Sequence, residues 1–138
     1  MSESSCRSGT VASASVEACR LDSVWDEQKT GRPEPFLMKM DIEDHWVEAL
    51  NGARSLLRST TLRHILLEVI LVPEDLNDVG SSRLLSLLEE LDFSLYLFQG
   101  SSLIASSAAD VSVLMIGGKA FNLLVTRDPA LVLAEDNS

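Results

Sequence analysis

The chain has 138 residues, the size of one domain, and its 46% hydrophobic and 23% charged residues are a globular composition, not a disordered one. Eleven Lys and Arg against 21 Asp and Glu leave a formal charge of −10, which argues against binding nucleic acid or an anionic membrane through phosphates. No apolar run reaches the roughly 18 residues that span a bilayer, no signal-peptide core is visible near the start, and two cysteines, Cys6 and Cys19, are too few for a disulfide scaffold or a four-cysteine zinc site, so the expectation is a cytoplasmic, reduced protein without a metal.

In chain order, residues 1–15 are rich in Ser, Ala, Gly and Thr and read as a flexible segment. A weak apolar pattern over 16–24 follows, and Gly31, Pro33 and Pro35 mark a loop. Residues 36–41, FLMKMD, predict a buried strand that ends on charge. Trp46, Leu50, Ala53 and Leu57 then share one helical face over 44–58, with Asp44 at the N-cap or in the first turn. Residues 64–72 form a near-continuous aliphatic run, the signature of a strand covered on both faces, and Pro73 ends it. A helix over 82–91 presents Leu84, Leu87, Leu88 and Leu91, with Ser81 or Ser82 as its cap. Residues 93–98 predict a third strand. Val111, Leu114 and Met115 suit a short helix closed by Gly117-Gly118 or, with their β-branched content, a strand. Residues 121–126 make a last strand, and 129–138 a flexible tail. Alternation of this kind predicts an α/β sheet with helices packed on it.

Ligands of open α/β sheets bind beyond the carboxyl ends of the strands. Two places there hold chemistry. One is the turn from Lys39 to Trp46, where Asp41, Glu43, Asp44 and His45 crowd together. The other is Glu68, an acid inside an aliphatic strand that needs a partner or a proton. The plainer readings are that Asp44 complements the helix dipole, that Glu68 pairs with Arg63 or lies on an exposed edge, that Lys39 pairs with a neighbouring acid, that His45 and His64 are surface or satisfied core residues, and that Trp46 is core. A metal site from Asp41, Glu43 and His45 would need three ligands within five residues to converge. There is no G-x-S-x-G, no phosphate-binding loop, no H-E-x-x-H, no C-x-x-C and no G-x-G.

Residues 36–69 resemble the FkbM-type methyltransferases, whose pattern is a strand ending in K-x-D-x-E-G, a helix carrying L-x-G-A and a strand closing with L-x-E. Lys39, Asp41 and Glu43 match the first part, Leu50, Gly52 and Ala53 the second, and Leu66 or Leu67 with Glu68 the third. Arg20 to Val24 resembles the leucine-aspartate segment upstream, and residues 91–97 and 122–127 resemble the last two strands, so the likeness runs from about Val16 to Arg127. Asp44 replaces the family glycine, and Trp46 stands where the family has an acid. The resemblance implies the C-terminal half of a Rossmann-like class I methyltransferase sheet in three layers over 16–128, the first three strands parallel and the last antiparallel. It also implies an S-adenosylmethionine-dependent O-methyltransferase acting on the hydroxyl of a sugar, glycan or other small metabolite. Asp41 or Glu43 would be the catalytic base, and Glu68 and His45 would bind the acceptor. With no G-x-G and few residues before the strand at 36, binding of S-adenosylmethionine by this chain is in doubt. The rival expectation is a noncatalytic remnant that acts as an interaction module, completed by a partner or self-associating through an open sheet edge.

Overall fold

The computed structural model describes residues 14–70 and 79–130. The elements run α1 (Leu21–Gln28), β1 (Leu37–Met40), a 3-10 turn (Glu43–His45), α2 (Trp46–Asn51), α3 (Arg54–Arg58), β2 (His64–Val69), α4 (Val79–Glu90), β3 (Ser94–Gln99), β4 (Ser102–Ser106), α5 (Ala108–Ile116) and β5 (Phe121–Thr126). The expected flexible ends at 1–15 and 129–138, and the end of the strand expected to reach 72, fall largely or wholly outside the described residues.

The five strands form one sheet in the order β1-β2-β5-β3-β4. β1 and β2 are parallel, with Lys39 beside Leu66 and Met40 beside Leu67. β5 is antiparallel to both β2 and β3 and lies between them. β1, β2 and β3 therefore point the same way and the last strand is inserted against them, as the resemblance implies. β4 was not anticipated. It is the return arm of a hairpin with β3, turned at Gly100 in the left-handed region (φ 62°), and it pairs Gln99 with Ser102. Its five residues, SLIAS, lack a clean alternation.

Alternation within the strands sorts the sheet into two faces. Met40, Ile65, Leu67, Val69, Leu95, Leu123 and Val125 share one face and are buried. Trp46, Val47 and Leu50 of α2, Leu84, Leu85 and Leu88 of α4, and Val111 and Met115 of α5 close over them in a single core. The helical periodicity had selected Trp46, Leu50, Leu57, Leu84 and Leu88 correctly, while Leu91 is only half-buried. Among the described residues, this is the helical layer of the sheet. The opposite face carries Leu37 (56% exposed), Phe98 (42% exposed), Lys39 and Asn122.

The helix expected over 44–58 is broken in two, and the break has a cause. The N–H of Asp22, in the first turn of α1, donates to the carbonyl of Gly52 at 2.9 Å. The Asp22 carboxylate then accepts from Ser55 N (2.9 Å) and Leu56 N (3.1 Å), which are first-turn donors of α3. Ala53 stands at the N-cap of α3 and has no side chain that could do this. The leucine-aspartate and glycine-alanine pieces of the family pattern are therefore two sides of one contact. Asp22→Ala is expected to cost about 1–3 kcal/mol, because a buried cap is lost together with its helix donors; equilibrium urea unfolding measures it.

Asp44 sits in the first turn of the 3-10 segment rather than at a helix cap, and His45 is the N-cap of α2 without a side-chain cap bond. At the other end of the chain, α5 decides the open choice at 108–116 for helix. Ser107 and Asp110 form a reciprocal capping box at its start, and Gly117 and Gly118 end it, Gly118 at φ 67°.

Candidate active site

Strand register builds the site. β1 ends at Met40, and Asp41 follows it at the carboxyl end of the strand. Continuing the parallel pairing past Met40 and Leu67 brings Asp41 level with Glu68. Glu68 in turn pairs directly with Asn122 of β5. Lys39, Asp41, Glu68 and Asn122 line a small cleft of about 160 Å³, with Leu66 and Met40 completing its wall.

Two acids meeting in such a cleft cannot ionise independently. Asp41 is held below its ordinary value of 3.8, first by a hydrogen bond with Glu68 and then by the Lys39 ammonium, whose Nζ lies 3.6 Å from Asp41 Oδ2. Glu68 is pushed above its ordinary 4.5 by that same bond and by the Asp41 charge, with desolvation and Glu43 adding to the shift and Lys39 opposing it. The pair thus divides its labour. Asp41 is the acceptor, and Glu68 keeps the proton longer.

The two shifts act on stability in opposite directions. The Asp41 contribution is present above 3.8 and is lost as pH falls through its lowered value. The Glu68 contribution is present below 4.5 and is lost as pH rises through its raised value. The pair favours the folded state most while it holds one proton. Carboxyl 13C NMR should therefore show Asp41 titrating below 3.8 and Glu68 above 4.5, and Asp41→Asn should bring Glu68 back toward 4.5. Two independent titrations at the ordinary values would refute the pairing.

The other residues singled out from the sequence are less central. Glu43 reaches Glu68 through its charge but does not line the cleft. Its backbone is unusual, since it holds φ 57° without being a glycine. Such strain at the turn that follows a strand's carboxyl end is a feature of functional sites. His45 lies outside the cleft, exposed, with Nε2 3.7 Å from Asp44 Oδ1. His64 is a satisfied core residue. Its Nδ1 is 2.8 Å from Thr126 Oγ1, and its ring meets Phe36 edge-on at 4.8 Å between centroids. Glu68 pairs with Asp41 rather than with Arg63. Asn122 was missed, because nothing short of the β2–β5 register places it beside Glu68. Among the described residues no group of three His, Cys, Asp or Glu could hold a metal ion, and Cys19 is a free, exposed thiol.

A family model described as the methyltransferase FkbM domain matches residues 2–95, well over half of the chain. The chain belongs to the FkbM methyltransferase family. This FkbM domain carries Lys39, Asp41, Glu43 and Glu68 inside the matched stretch, whereas β4, α5 and β5, with Asn122, lie beyond it. The matched stretch begins and ends earlier than the resemblance over 16–127 suggested. The comparisons with curated proteins and with solved structures returned no match. No helix among the described residues is long and apolar enough to cross a membrane.

The cofactor implied by the family is S-adenosylmethionine. A cradle for it needs glycines where backbone approaches the ligand. Gly31, Gly100 and Gly118 have open space where a Cβ would stand, while Gly52 faces backbone of its own helix and of α1, and Gly117 backbone of its own helix. A larger groove of about 690 Å³ flanks β1, where apolar Leu21, Val24, Met38 and Ile42 stand with Arg20, Lys39 and Glu48, a mostly apolar lining with a few polar groups as small-molecule sites have. The sequence has no G-x-G turn for such a cradle.

Proposed function

We propose that this chain supplies the acceptor side of an O-methyltransferase: it holds a hydroxyl of a sugar or small metabolite in the Asp41–Glu68 cleft and receives the hydroxyl proton on Asp41. The observation that carries this reading is the placement of two carboxyls, Asp41 and Glu68, in one cleft at the carboxyl ends of adjacent parallel strands, with Lys39 and Asn122 beside them. Chemically, an alcohol is a poor nucleophile until its proton has somewhere to go, and a positioned carboxylate contributes roughly 10²–10⁴-fold. Glu68, in the same cleft, orients the acceptor. Lys39 keeps Asp41 ionised, and Glu43 sets the local field. S-adenosylmethionine would supply the methyl group in the family's chemistry.

A second reading, an interaction module without catalysis, is supported by the lack of a G-x-G turn and by β1, which pairs with β2 alone among the described strands and would offer its other edge to a partner or a second copy. One set of measurements on the full chain separates the two. Labelled methyl transfer from S-adenosylmethionine is assayed across glycans and small alcohols, with Asp41→Asn and Glu43→Gln as controls, alongside calorimetry with cofactor and with acceptors and light scattering for mass. The expected result is acceptor binding that Asp41→Asn weakens, with little cofactor binding and little turnover. Turnover by the chain alone that falls about 100-fold in Asp41→Asn would make it a complete enzyme. Oligomers with no acceptor binding would leave only the interaction module.

A further inference from the structure

We infer that Asn122 sets the acceptor preference of the cleft, gripping, together with Glu68, two adjacent hydroxyls of a neutral glycoside or polyol. The inference rests on the acceptor reading of the cleft and deepens it. Glu68 and Asn122 are register partners on antiparallel strands. Directly opposed residues of such strands stand about 4.5–5.5 Å apart and project to the same side. Their polar ends form one platform on two rigid strands in the interior of the sheet order, which is better positioned than a loop.

The chemistry of the platform selects the ligand. Lys39 Nζ stands 3.6 Å from Asp41 Oδ2, so their charges partly offset each other toward a third group while Asp41 stays open to the hydroxyl proton. What remains is a carboxyl and a primary amide. The amide has two donors and a carbonyl acceptor, and the carboxyl of Glu68 accepts in either state and donates when protonated. Each alcohol hydroxyl is both donor and acceptor. Two hydroxyls on neighbouring carbons therefore satisfy both groups at once, whereas a single hydroxyl leaves one of them unanswered. An anionic ligand would face Asp41 and Glu68, and a cationic one would compete with Lys39, so the complementary ligand is neutral. The volume, about 160 Å³, accommodates one edge of a sugar ring or a few waters, not a nucleotide. Asn122 also lies beyond the family-matched stretch 2–95, so the family pattern does not dictate its identity.

The test uses the full chain and no cofactor. Methyl α-mannopyranoside, with adjacent hydroxyls, and cyclohexanol, with one, are titrated while the side-chain amide signals of Asn122 are followed by NMR. The glycoside should shift those signals saturably, with cyclohexanol at least about tenfold weaker, the equivalent of one lost hydrogen bond. Asn122→Leu should weaken the glycoside by a similar factor. Asn122→Asp, of the same shape but without the donors, should weaken it too. Asn122 is exposed, so both variants are expected to keep the wild-type amide spectrum, which controls for folding. Equal affinity for both probes, unchanged affinity in both variants, or no saturable shift would overturn the inference. Glycoside binding without methyl transfer by any assembly would remove the transferase reading and leave this one standing. Asp41-dependent transfer to alcohols with one hydroxyl, indifferent to Asn122→Leu, would do the reverse.

Discussion

Arg127→Met should lower the stability of the domain by about 2–4 kcal/mol and its Tm by roughly 10 °C. The Arg127 guanidinium follows directly on β5 and spends four hydrogen bonds on backbone carbonyls. Nε donates to Leu91 O at 3.0 Å, Nη1 to Ser59 O at 2.6 Å and to Leu62 O at 2.9 Å, and Nη2 to Leu57 O at 2.6 Å. Its carbon Cζ lies 4.0 Å from the centre of the Phe93 ring. One side chain thereby fastens the end of α3, the approach to β2, the end of α4 and the last strand. Burial lowers the Arg127 pKa below its ordinary value, with Asp92 opposing and the Arg63 charge adding, but such a side chain stays charged in proteins. Each bond to a charged donor is worth about 1.5–3 kcal/mol, and bonds sharing one donor group do not add. Methionine keeps the length of the stem, so the loss reports the carbonyls. Arg127→Lys should fall between the two, since an ammonium has no planar fork with which to reach four acceptors. Thermal and urea unfolding measure both variants, and a Met variant within about 0.5 kcal/mol of the parent would show that the four bonds are idle.

Trp46→Ala is expected to cost about 3–5 kcal/mol, and Trp46→Phe much less. Trp46 has no exposed surface and packs in the core with Leu50, Leu84 and Leu88. Its Nε1 is buried and finds no partner among the described residues. Alanine leaves a cavity beneath the turn that carries Asp41 and Glu43. Phenylalanine keeps most of the apolar area and removes the unsatisfied N–H, which itself costs about 1–3 kcal/mol. Urea unfolding of the pair of variants separates area from polarity: a Phe variant as damaged as the Ala variant would mean that the indole shape, not its burial, holds the core. The ring stands where the family pattern has an acid. A position beside the site has thus been given over to packing.

The parts of the fold that were legible in the sequence are those governed by local period. The aliphatic run from His64, the leucines of α4 and the row Trp46, Leu50, Leu57 each announce their face. The parts that were not legible depend on distant partners. A helix from 44 to 58 is the sound reading of its own residues, and only the carboxylate of Asp22, more than thirty positions upstream of its partners, divides it. The first helix has too short an apolar stripe to be recognised, and β4 takes its conformation from pairing with β3. The site was half legible for the same reason. Asp41, Glu43 and Glu68 draw notice as charges in apolar surroundings, but the juxtaposition of Asp41 and Glu68 arises from parallel register and that of Asn122 from antiparallel register, neither of which a single segment encodes. His45 was singled out by its neighbours in sequence, and the 3-10 turn carries it out of the cleft.

The position of β5 has a consequence for how the chain comes into being. On the ribosome, β1 and β2 can pair as soon as both have emerged, and β3 and β4 can close as a local hairpin. No strand pairing joins these two pieces until Phe121–Thr126 is made, because the strand that bridges them is the last one described. Until then, β2 and β3 each present a bare edge and an aliphatic face. Synthesis proceeds at about 5–20 residues per second, so that interval lasts several seconds. Any stall between residues 99 and 121 prolongs the exposure of HILLEV and SLYLFQ, and it is there, rather than in the finished sheet, that this chain is most open to mispairing and to capture by a chaperone.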